Sequence, residues 1–345
     1  MAINVGILGF AHAHVNSYCG RWREQPELGI RVVAGWDHDE ARLAGAGANH
    51  GIEMLSSVNA LLDRKDIGAV VIAAETSRHA ELVEQAADAG KAIVVQKPLA
   101  LTLAEADRIV AAVSRTGVPF TLAWQMRVDP HNMQIKSLLA SGEFGRVYQV
   151  RRRHCLNTQM WKDFDKSWHV NPAMNRDIFA DDSSHAADFL YWLLGMPHSV
   201  MAELGTLRNP AIPNDHGIAL YRYTDGTFAE VSCSFATVAS ENTTEVVCEN
   251  GTIIENYGEL TSTNIPWPAG GIQLKWYLQQ VGNWTTSELP DIKNHGERLL
   301  GLSAPLAEFL HGARPPIATA QEGRDVLRMV LACYESYEQG RRITL

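Results

Sequence analysis

Ala92-Ile93-Val94-Val95-Gln96-Lys97-Pro98 is the stretch on which the reading of this chain turns. Four consecutive apolar residues, three of them branched at Cβ, suit a strand buried on both faces. Such a strand belongs to a parallel sheet and delivers its last residues to the carboxyl edge, where open α/β folds bind ligands. Pro98 cannot continue the ladder and restricts Lys97 to extended backbone. A lysine placed there is either neutralised by a carboxylate or directed at a polar group in a cleft. The bland alternative is a lysine whose stem snorkels at a strand end.

Working outward, the same kind of run recurs at Val5 to Leu8, Val32 to Trp36, Ala69 to Ala73 and Pro119 to Ala123. Between these runs, Ala80 to Ala89 and Leu103 to Val113 carry apolar residues at helical spacing, and Thr102 with Glu105 forms a capping box for the second. Alternation of strand and helix predicts a parallel, doubly wound sheet.

Beyond Trp124 the pattern changes. A helix over Asp181 to Leu194 precedes runs rich in Val, Tyr, Thr and Phe. Leu220 to Thr224 and Thr227 to Phe235 flank Asp225-Gly226, and Thr243 to Glu249 and Thr252 to Asn256 flank Asn250-Gly251. Both dipeptides are two-residue hairpin signals, so an antiparallel sheet is expected. A last helix, Gln321 to Gln339, has Val326, Leu327, Val330, Leu331 and Tyr334 on one stripe. Glu259 to Gly271, with two prolines and two glycines, reads as a loop.

At 345 residues the chain exceeds what one core usually organises, so two domains are expected, with the boundary near residue 123. A formal net charge of -9 disfavours nucleic acid and anionic membranes as partners. No apolar run approaches the roughly 20 residues of a membrane helix. The start, Met1-Ala2-Ile3-Asn4-Val5, has no basic segment and reads directly as a strand, which predicts a cytoplasmic protein without a secretion signal. Cys19, Cys155, Cys233, Cys248 and Cys333 lack paired spacing and read as reduced core residues.

Three constellations carry chemistry. The first is Gly9-Phe10-Ala11-His12-Ala13-His14, where a dinucleotide fold places its phosphate turn. Only the first glycine of G-x-G-x-x-G is present, and His14 at the third position excludes the usual tight packing, so a rearranged turn is expected. His12 and His14 suggest caps or pyrophosphate donors, and with no third ligand nearby no metal is expected. The second is Asp37, which ends the second strand. A carboxylate there accepts from ribose hydroxyls and repels a 2'-phosphate, favouring NAD, while His38 offers no arginine to receive one; the alternative is a helix cap. The third is Asp181, His185 and Asp188 at i, i+4 and i+7, one helical face that Trp192 continues. An aspartate four residues before a histidine can orient it and raise its basicity, as a general base requires; an exposed polar face reads the same way.

Gln96-Lys97-Pro98-Leu99-Ala100 resembles the E-K-P-L-A signature of the glucose-fructose oxidoreductase, inositol dehydrogenase and rhizopine catabolism family (Gfo/Idh/MocA). The resemblance extends through Arg127-Val128-Asp129-Pro130, Gly142-Glu143-Phe144-Gly145, the D-x-x-x-H-x-x-D helix and Tyr334 to Arg342, so it covers nearly the whole chain in order. The departures are Gln96 for glutamate, the incomplete glycine fingerprint, and Asn175-Arg176-Asp177 where many members have glycines. The resemblance implies an α/β Rossmann domain over 1–123 and, over 124–345, an α+β domain with a large, mostly antiparallel open sheet for substrate binding and oligomerisation.

On this reading the chain is an NAD-dependent sugar or polyol dehydrogenase. Lys97, Asp181 and His185 are the catalytic set, with His185 as base and Lys97 stabilising charge on the reacting oxygen. The cofactor set is Gly9, Phe10, Ala11, His12, Asp37, Thr76, His79, Gln96 and Lys97. Arg127, Trp161 and Trp168 join Lys97, Asp181 and His185 around the substrate, although the tryptophans read equally well as core aromatics. Arg151 to His154 lie on a strand, and a solvated sheet face explains them better than an acidic substrate. One rival reading is a redox-neutral NAD-dependent glycosidase acting through a transient keto-sugar. The other is a dinucleotide-binding sensor, which has no need of a proton-transfer set. A broad sheet with helices on one side leaves an apolar face, so a homodimer or homotetramer is expected.

Overall fold

The computed structural model describes residues 2–157, 161–238, 242–257 and 270–345. The loop expected over Glu259 to Gly271 lies, up to residue 269, outside them. The chain divides into two compact units. One runs to Gln125 and adds Ala173–Asn175 and Leu299–Leu327; the other holds Met126–Pro172, Arg176–Arg298 and Arg328–Leu345.

The first unit is built on strands β1 (Ile3–Leu8), β2 (Ile30–Trp36), β3 (Glu53–Met54), β4 (Ala69–Ile72), β5 (Ala92–Val95) and β6 (Phe120–Leu122). They form one six-stranded sheet in the order β3-β2-β1-β4-β5-β6, and every pairing is parallel. Every residue of β4 is buried, as a strand covered on both faces requires. Helices α1 (His14–Glu24), α2 (Glu40–His50), α3 (Val58–Leu62), α4 (His79–Asp88) and α5 (Leu103–Thr116) connect the strands. The capping box forms: Thr102 Oγ1 accepts from the Glu105 amide at 3.2 Å while the Glu105 carboxylate accepts from the Thr102 amide at 2.9 Å. Strand order reverses between β1 and β4, which makes the carboxyl ends of these two strands the switch point of the sheet.

The second unit carries α6 (Pro130–Ala140), β7 (Val147–Cys155), a single turn α7 (Pro172–Asn175) whose last three residues belong to the first unit, and α8 (Ile178–Leu194). Strands β8 (Ser199–Gly205), β9 (His216–Arg222), β10 (Phe228–Ser234), β11 (Asn242–Cys248), β12 (Gly251–Tyr257), β13 (Leu274–Leu278), β14 (Trp284–Thr286) and β15 (Ile343–Thr344) follow. The nine-stranded order is β14-β13-β12-β11-β7-β10-β9-β8-β15. Both expected hairpins are present, β9 to β10 and β11 to β12, and among the described residues only the central β7–β10 pair of this sheet is parallel. Burial alternates strictly along β9 and β11, so one face of the sheet is covered, and α8 packs on β7 and β10.

The last helix spans Ala320–Gln339 and buries Val326, Leu327, Val330 and Tyr334 along the expected stripe. All five cysteines are buried and unbridged. Among the described residues no helix is long and apolar enough to cross a membrane, and no cluster of three metal-ligating side chains occurs.

Candidate active site

The carboxyl edge of the parallel sheet is shaped first by Gly9. Its φ is +85°, and a Cβ at this position would lie 2.4 Å from the Ala74 Cα, so the turn after β1 passes against the segment after β4 with no room for a side chain. The next residues are fixed by main-chain bonds: the Gly9 amide donates to Trp36 O and the His12 amide to Ala73 O at 2.9 Å. Helix α1 begins at His14 with Ala13, not a histidine, in the capping position. The His12 and His14 rings meet edge to face at 4.3 Å. The incomplete glycine fingerprint thus leaves a turn in which one glycine meets the steric demand.

Asp37 is buried directly beyond β2, but it does not cap the next helix; Asp39 does, accepting from the Arg42 amide at 3.0 Å. Asp37 Oδ2 accepts from the Phe10 amide at 2.7 Å and Oδ1 from the Asp39 amide at 2.8 Å, which ties the β1 turn to the start of α2. An arginine does stand here, contrary to the sequence reading. Arg42 sits one turn into α2 and grips Asp37 with both Nε (3.1 Å) and Nη2 (2.9 Å). Its Nη2 also donates to Glu75 Oε1 at 2.6 Å, and His38 Nε2 lies 3.0 Å from Glu75 Oε2. Burial pushes the Glu75 carboxyl up, but hydrogen bonds from its own backbone, His38 and Arg42 outweigh this and hold it below the usual carboxylate range. Neither Arg42 nor Glu75 carried a sequence signal, because their meeting joins a helix start to the end of a different strand.

Lys97 is 3% exposed, and its bond to Pro98 is cis. Gln96 is fully buried, and both polar atoms of its amide lack a hydrogen-bond partner among the described residues. Two of the expected cofactor ligands, His79 and Thr76, also bond to the surrounding scaffold. His79 is fully buried with Nδ1 on Pro98 O (3.0 Å) and Leu99 O (3.2 Å) and Nε2 on Ala74 O (3.2 Å), so its ring joins the two segments that follow β4 and β5. Burial lowers its pKa, against those carbonyls. Thr76 Oγ1 donates to Asn175 Oδ1 at 2.7 Å.

In the second unit, Asp177 caps α8, its Oδ1 accepting from the Ala180 amide at 3.0 Å and from the Tyr334 hydroxyl, and its Oδ2 from Asn214 Nδ2 at 2.7 Å. Burial raises its pKa against these donors. The Asn175-Arg176-Asp177 departure is therefore a helix start, with Arg176 at φ +60° and its guanidinium 4.2 Å from the Tyr334 ring centre. Every residue from Ile178 to Leu190 is buried, including Asp181 (3% exposed), Asp182, Ser183, Ser184, His185 (4%) and Asp188. An exposed polar face would not show this.

Each acid on α8 has a named cation or imidazole. Asp181 Oδ2 lies 2.8 Å from His169 Nδ1, Asp182 Oδ2 lies 3.2 Å from His154 Nε2, and the His154 and His185 rings are 5.4 Å apart. Trp168 stacks on His169 at 4.0 Å, which brings this expected substrate residue to Asp181 through an imidazole that sequence reasoning missed. Trp161 is largely exposed and meets Phe164 edge to face. Arg127, expected at the substrate, is buried and committed to Asp188, Nη2 to Oδ1 at 2.7 Å and Nε to both oxygens. The solvated-face reading of Arg151 to His154 fits one alternate pair, exposed Arg151 and half-buried Arg153, and fails for the other. Arg152 is buried on Glu255 at 2.9 Å and on Thr244, and His154 is buried on Asp182.

The residues of the first unit fit a dinucleotide. Gly9 permits close backbone approach at the switch point, Asp37 ends β2 as a buried carboxylate, and the Gln96 amide is an orphaned polar group at the same edge, a state that costs about 1–3 kcal/mol while it lasts. Fold and site define a two-unit, dinucleotide-binding protein of oxidoreductase type. Residues 3–123 match the model of an oxidoreductase family with an NAD-binding Rossmann fold, and residues 132–254 match the GFO/IDH/MocA C-terminal domain. The chain therefore belongs to the Gfo/Idh/MocA oxidoreductase family, and its first domain binds NAD.

Among curated proteins it is similar to the D-apiose dehydrogenase of Paraburkholderia graminis, 27% identical over 99% of this chain and 88% of that one. The inositol 2-dehydrogenase 2 of Saccharopolyspora erythraea is 30% identical over 56% of this chain, and the match spans only 55% of that protein's length. Among solved structures, levoglucosan dehydrogenase in complex with NADH and levoglucosan superposes with a TM-score of 0.86 at 19% identity, covering 100% of this chain and 99% of that one. The WlbA dehydrogenase from Bordetella pertussis, in complex with NADH and UDP-GlcNAcA, gives 0.82 at 23% identity over 100% and 99%. At these identities the structures speak for the fold.

Proposed function

We propose that the protein is an NAD-dependent dehydrogenase of a sugar or polyol, oxidising one CH–OH carbon. The observation that carries the reading is α8, where Asp181 and His185 are buried one turn apart on a helix dense in buried acids and hydroxyls. Burying so many ionisable groups is costly, and a protein that only sensed dinucleotide would have no use for them.

His185 takes the proton of the substrate hydroxyl, and Asp181 supports the imidazolium that results. Lys97 holds the reacting oxygen and offsets the charge it develops. Bound NAD supplies the hydride acceptor. Trp168, stacked on His169, gives a sugar ring an apolar face beside Asp181. The D-apiose, inositol and levoglucosan dehydrogenases among its relatives support a polyhydroxylated carbohydrate as substrate class.

A panel of sugars, inositols and glycosides, assayed for NADH absorbance, tests the reading. Steady NADH formation with at least one of them is expected. Aglycone release without net NADH, from enzyme that keeps its cofactor, would replace it with the redox-neutral elimination.

The exposed sheet face sets Met201 against Leu220 and carries Ile218 and Phe228, and this supports a homodimer or homotetramer. Light scattering at micromolar concentration should give a multiple of the 38.0 kDa chain mass. A monomer would remove that part of the proposal.

A further inference from the structure

Asp37 is fully subscribed. An ionised carboxylate offers about four lone-pair sites. Here they meet the Phe10 amide, the Asp39 amide, and Arg42 Nε and Nη2. A ribose hydroxyl can reach this carboxylate only if one donor leaves. The two amides are fixed by the β1 turn and by the start of α2, whereas the Arg42 side chain is 27% exposed and is the donor able to move.

What happens to the guanidinium once it lets go decides between NAD and NADP. A released arginine beside the ribose is a ready bidentate partner for a 2'-phosphate. Glu75 stands in the way of that outcome: its Oε1 is already 2.6 Å from Arg42 Nη2, closer than either Asp37 contact, and its side chain is 2% exposed. We infer that Glu75 is a specificity-determining residue, a second anchor that keeps Arg42 when Asp37 turns to the ribose, so that a 2'-phosphate meets carboxylates instead of an available cation. Asp37, Glu75 and Arg42 together carry one net negative charge, which opposes a phosphate further. The inference rests on the NAD reading and extends it from Asp37 to residues on two other elements.

The test uses binding, not turnover. Tryptophan fluorescence of the full-length chain, with Trp36 adjacent to Asp37, would report titrations with 5'-ADP, 2',5'-ADP, NAD+ and NADP+. Glu75→Gln should raise the affinity for 2',5'-ADP relative to 5'-ADP by 10-fold or more, and the NADP+ to NAD+ ratio with it. Glu75→Gln/Arg42→Met should lose that gain, because the cation that receives the phosphate is gone. Arg42→Met alone frees Asp37 and should tighten 5'-ADP several-fold, an arm that stands even where Glu75 variants do not fold. An unchanged ratio in folded Glu75→Gln, a gain that survives in the double variant, or weaker 5'-ADP binding by Arg42→Met would each overturn the inference while leaving NAD as the cofactor. Wild-type preference for 2',5'-ADP would overturn the NAD reading itself, and the role of Glu75 with it.

Discussion

The two sheets bury their polar side chains in opposite places. In the parallel sheet the bodies of β4 and β5 are wholly apolar, and the buried ionisable or amide groups Asp37, Gln96 and Lys97 stand immediately beyond strand ends, with Thr121 in β6 a small buried hydroxyl that accepts from the Ile317 amide. In the nine-stranded sheet they lie inside strands: Arg152 and His154 in β7, Thr244 in β11, Glu255 in β12. Coverage explains the difference. A strand buried on both faces has no tolerant position along its length, so polar residues collect at its carboxyl end, where ligands are met. A strand covered on one face alternates, and the covered face can hold a charge if another strand supplies its partner.

The largest effect expected from this contrast is on stability. Arg152→Ala would leave the buried Glu255 and Thr244 without their cation, a loss of about 3–5 kcal/mol for a broken buried pair. Arg152→Met with Glu255→Leu should recover much of it, since well-packed apolar replacements of buried pairs are often neutral. Urea midpoints of the three proteins would decide. A loss below about 1 kcal/mol in the single variant would mean that the interior of the second sheet is not held this way.

The same contrast governs what could be read from sequence. The parallel sheet was legible because its strands are short apolar runs, and Lys97 stood out because it follows one directly. Both hairpins of the second sheet were legible from Asp225-Gly226 and Asn250-Gly251. Strand β3 was not, since Glu53–Met54 is too short to show a period. The burial of Arg152 is not legible in the sequence, because its partners Thr244 and Glu255 are 92 and 103 residues away and nothing in Arg151 to His154 says which face is covered. The pairing of Arg127 with Asp188 and of Asp181 with His169 escaped for the same reason, as did Arg42 with Glu75. Local periodicity shows that a group is on a face; only the fold shows what that face meets.

Next in size is the proposed chemistry. Lys97→Ala and His185→Ala should each lower kcat by roughly 10²-fold or more, the usual scale for acid–base groups. For His185→Ala, NAD affinity should stay within a few-fold, because His185 belongs to none of the expected cofactor positions. Asp181→Asn should fall between them and wild type and shift the pH–rate profile, since it removes the charge supporting protonated His185. Near-normal turnover by folded His185→Ala would return the α8 polar residues to a structural role like that of Asp188.

A smaller effect separates the sheets by pH. Burial, reinforced by the charge of Asp129, pushes the Glu255 carboxyl up to about 7 against the pull of Arg152. The folded state then holds this proton over a range where the unfolded chain, near the ordinary 4.5, has released it. Stability from this site is complete below the ordinary carboxylate range and is lost as pH rises through the raised folded value. Glu255→Gln should abolish that decline, so urea midpoints at pH 5 and pH 8 should diverge in wild type more than in the variant. Equal pH dependence of the two proteins would show that Glu255 is ionised throughout.

The smallest effect belongs to the feature most plainly written in the sequence. Thr102 and Glu105 can be recognised as a capping box three residues apart, and the structure closes both of its bonds. Exposed and local, it supplies two amide partners that water could otherwise provide, so Thr102→Ala should cost only about 1 kcal/mol, Thr102→Ser much less. The contrast with Arg152, which no local pattern reveals, is a matter of solvent. A bond formed within a few residues at the surface exchanges one well-hydrated partner for another, whereas a bond joining strands a hundred residues apart removes a charge from water and cannot be replaced. Urea midpoints for Thr102→Ala and Arg152→Ala measured side by side would test this ordering. If the cap proved the costlier loss, buried polar pairs in the second sheet would count as tolerated passengers of the fold, not as its constraints.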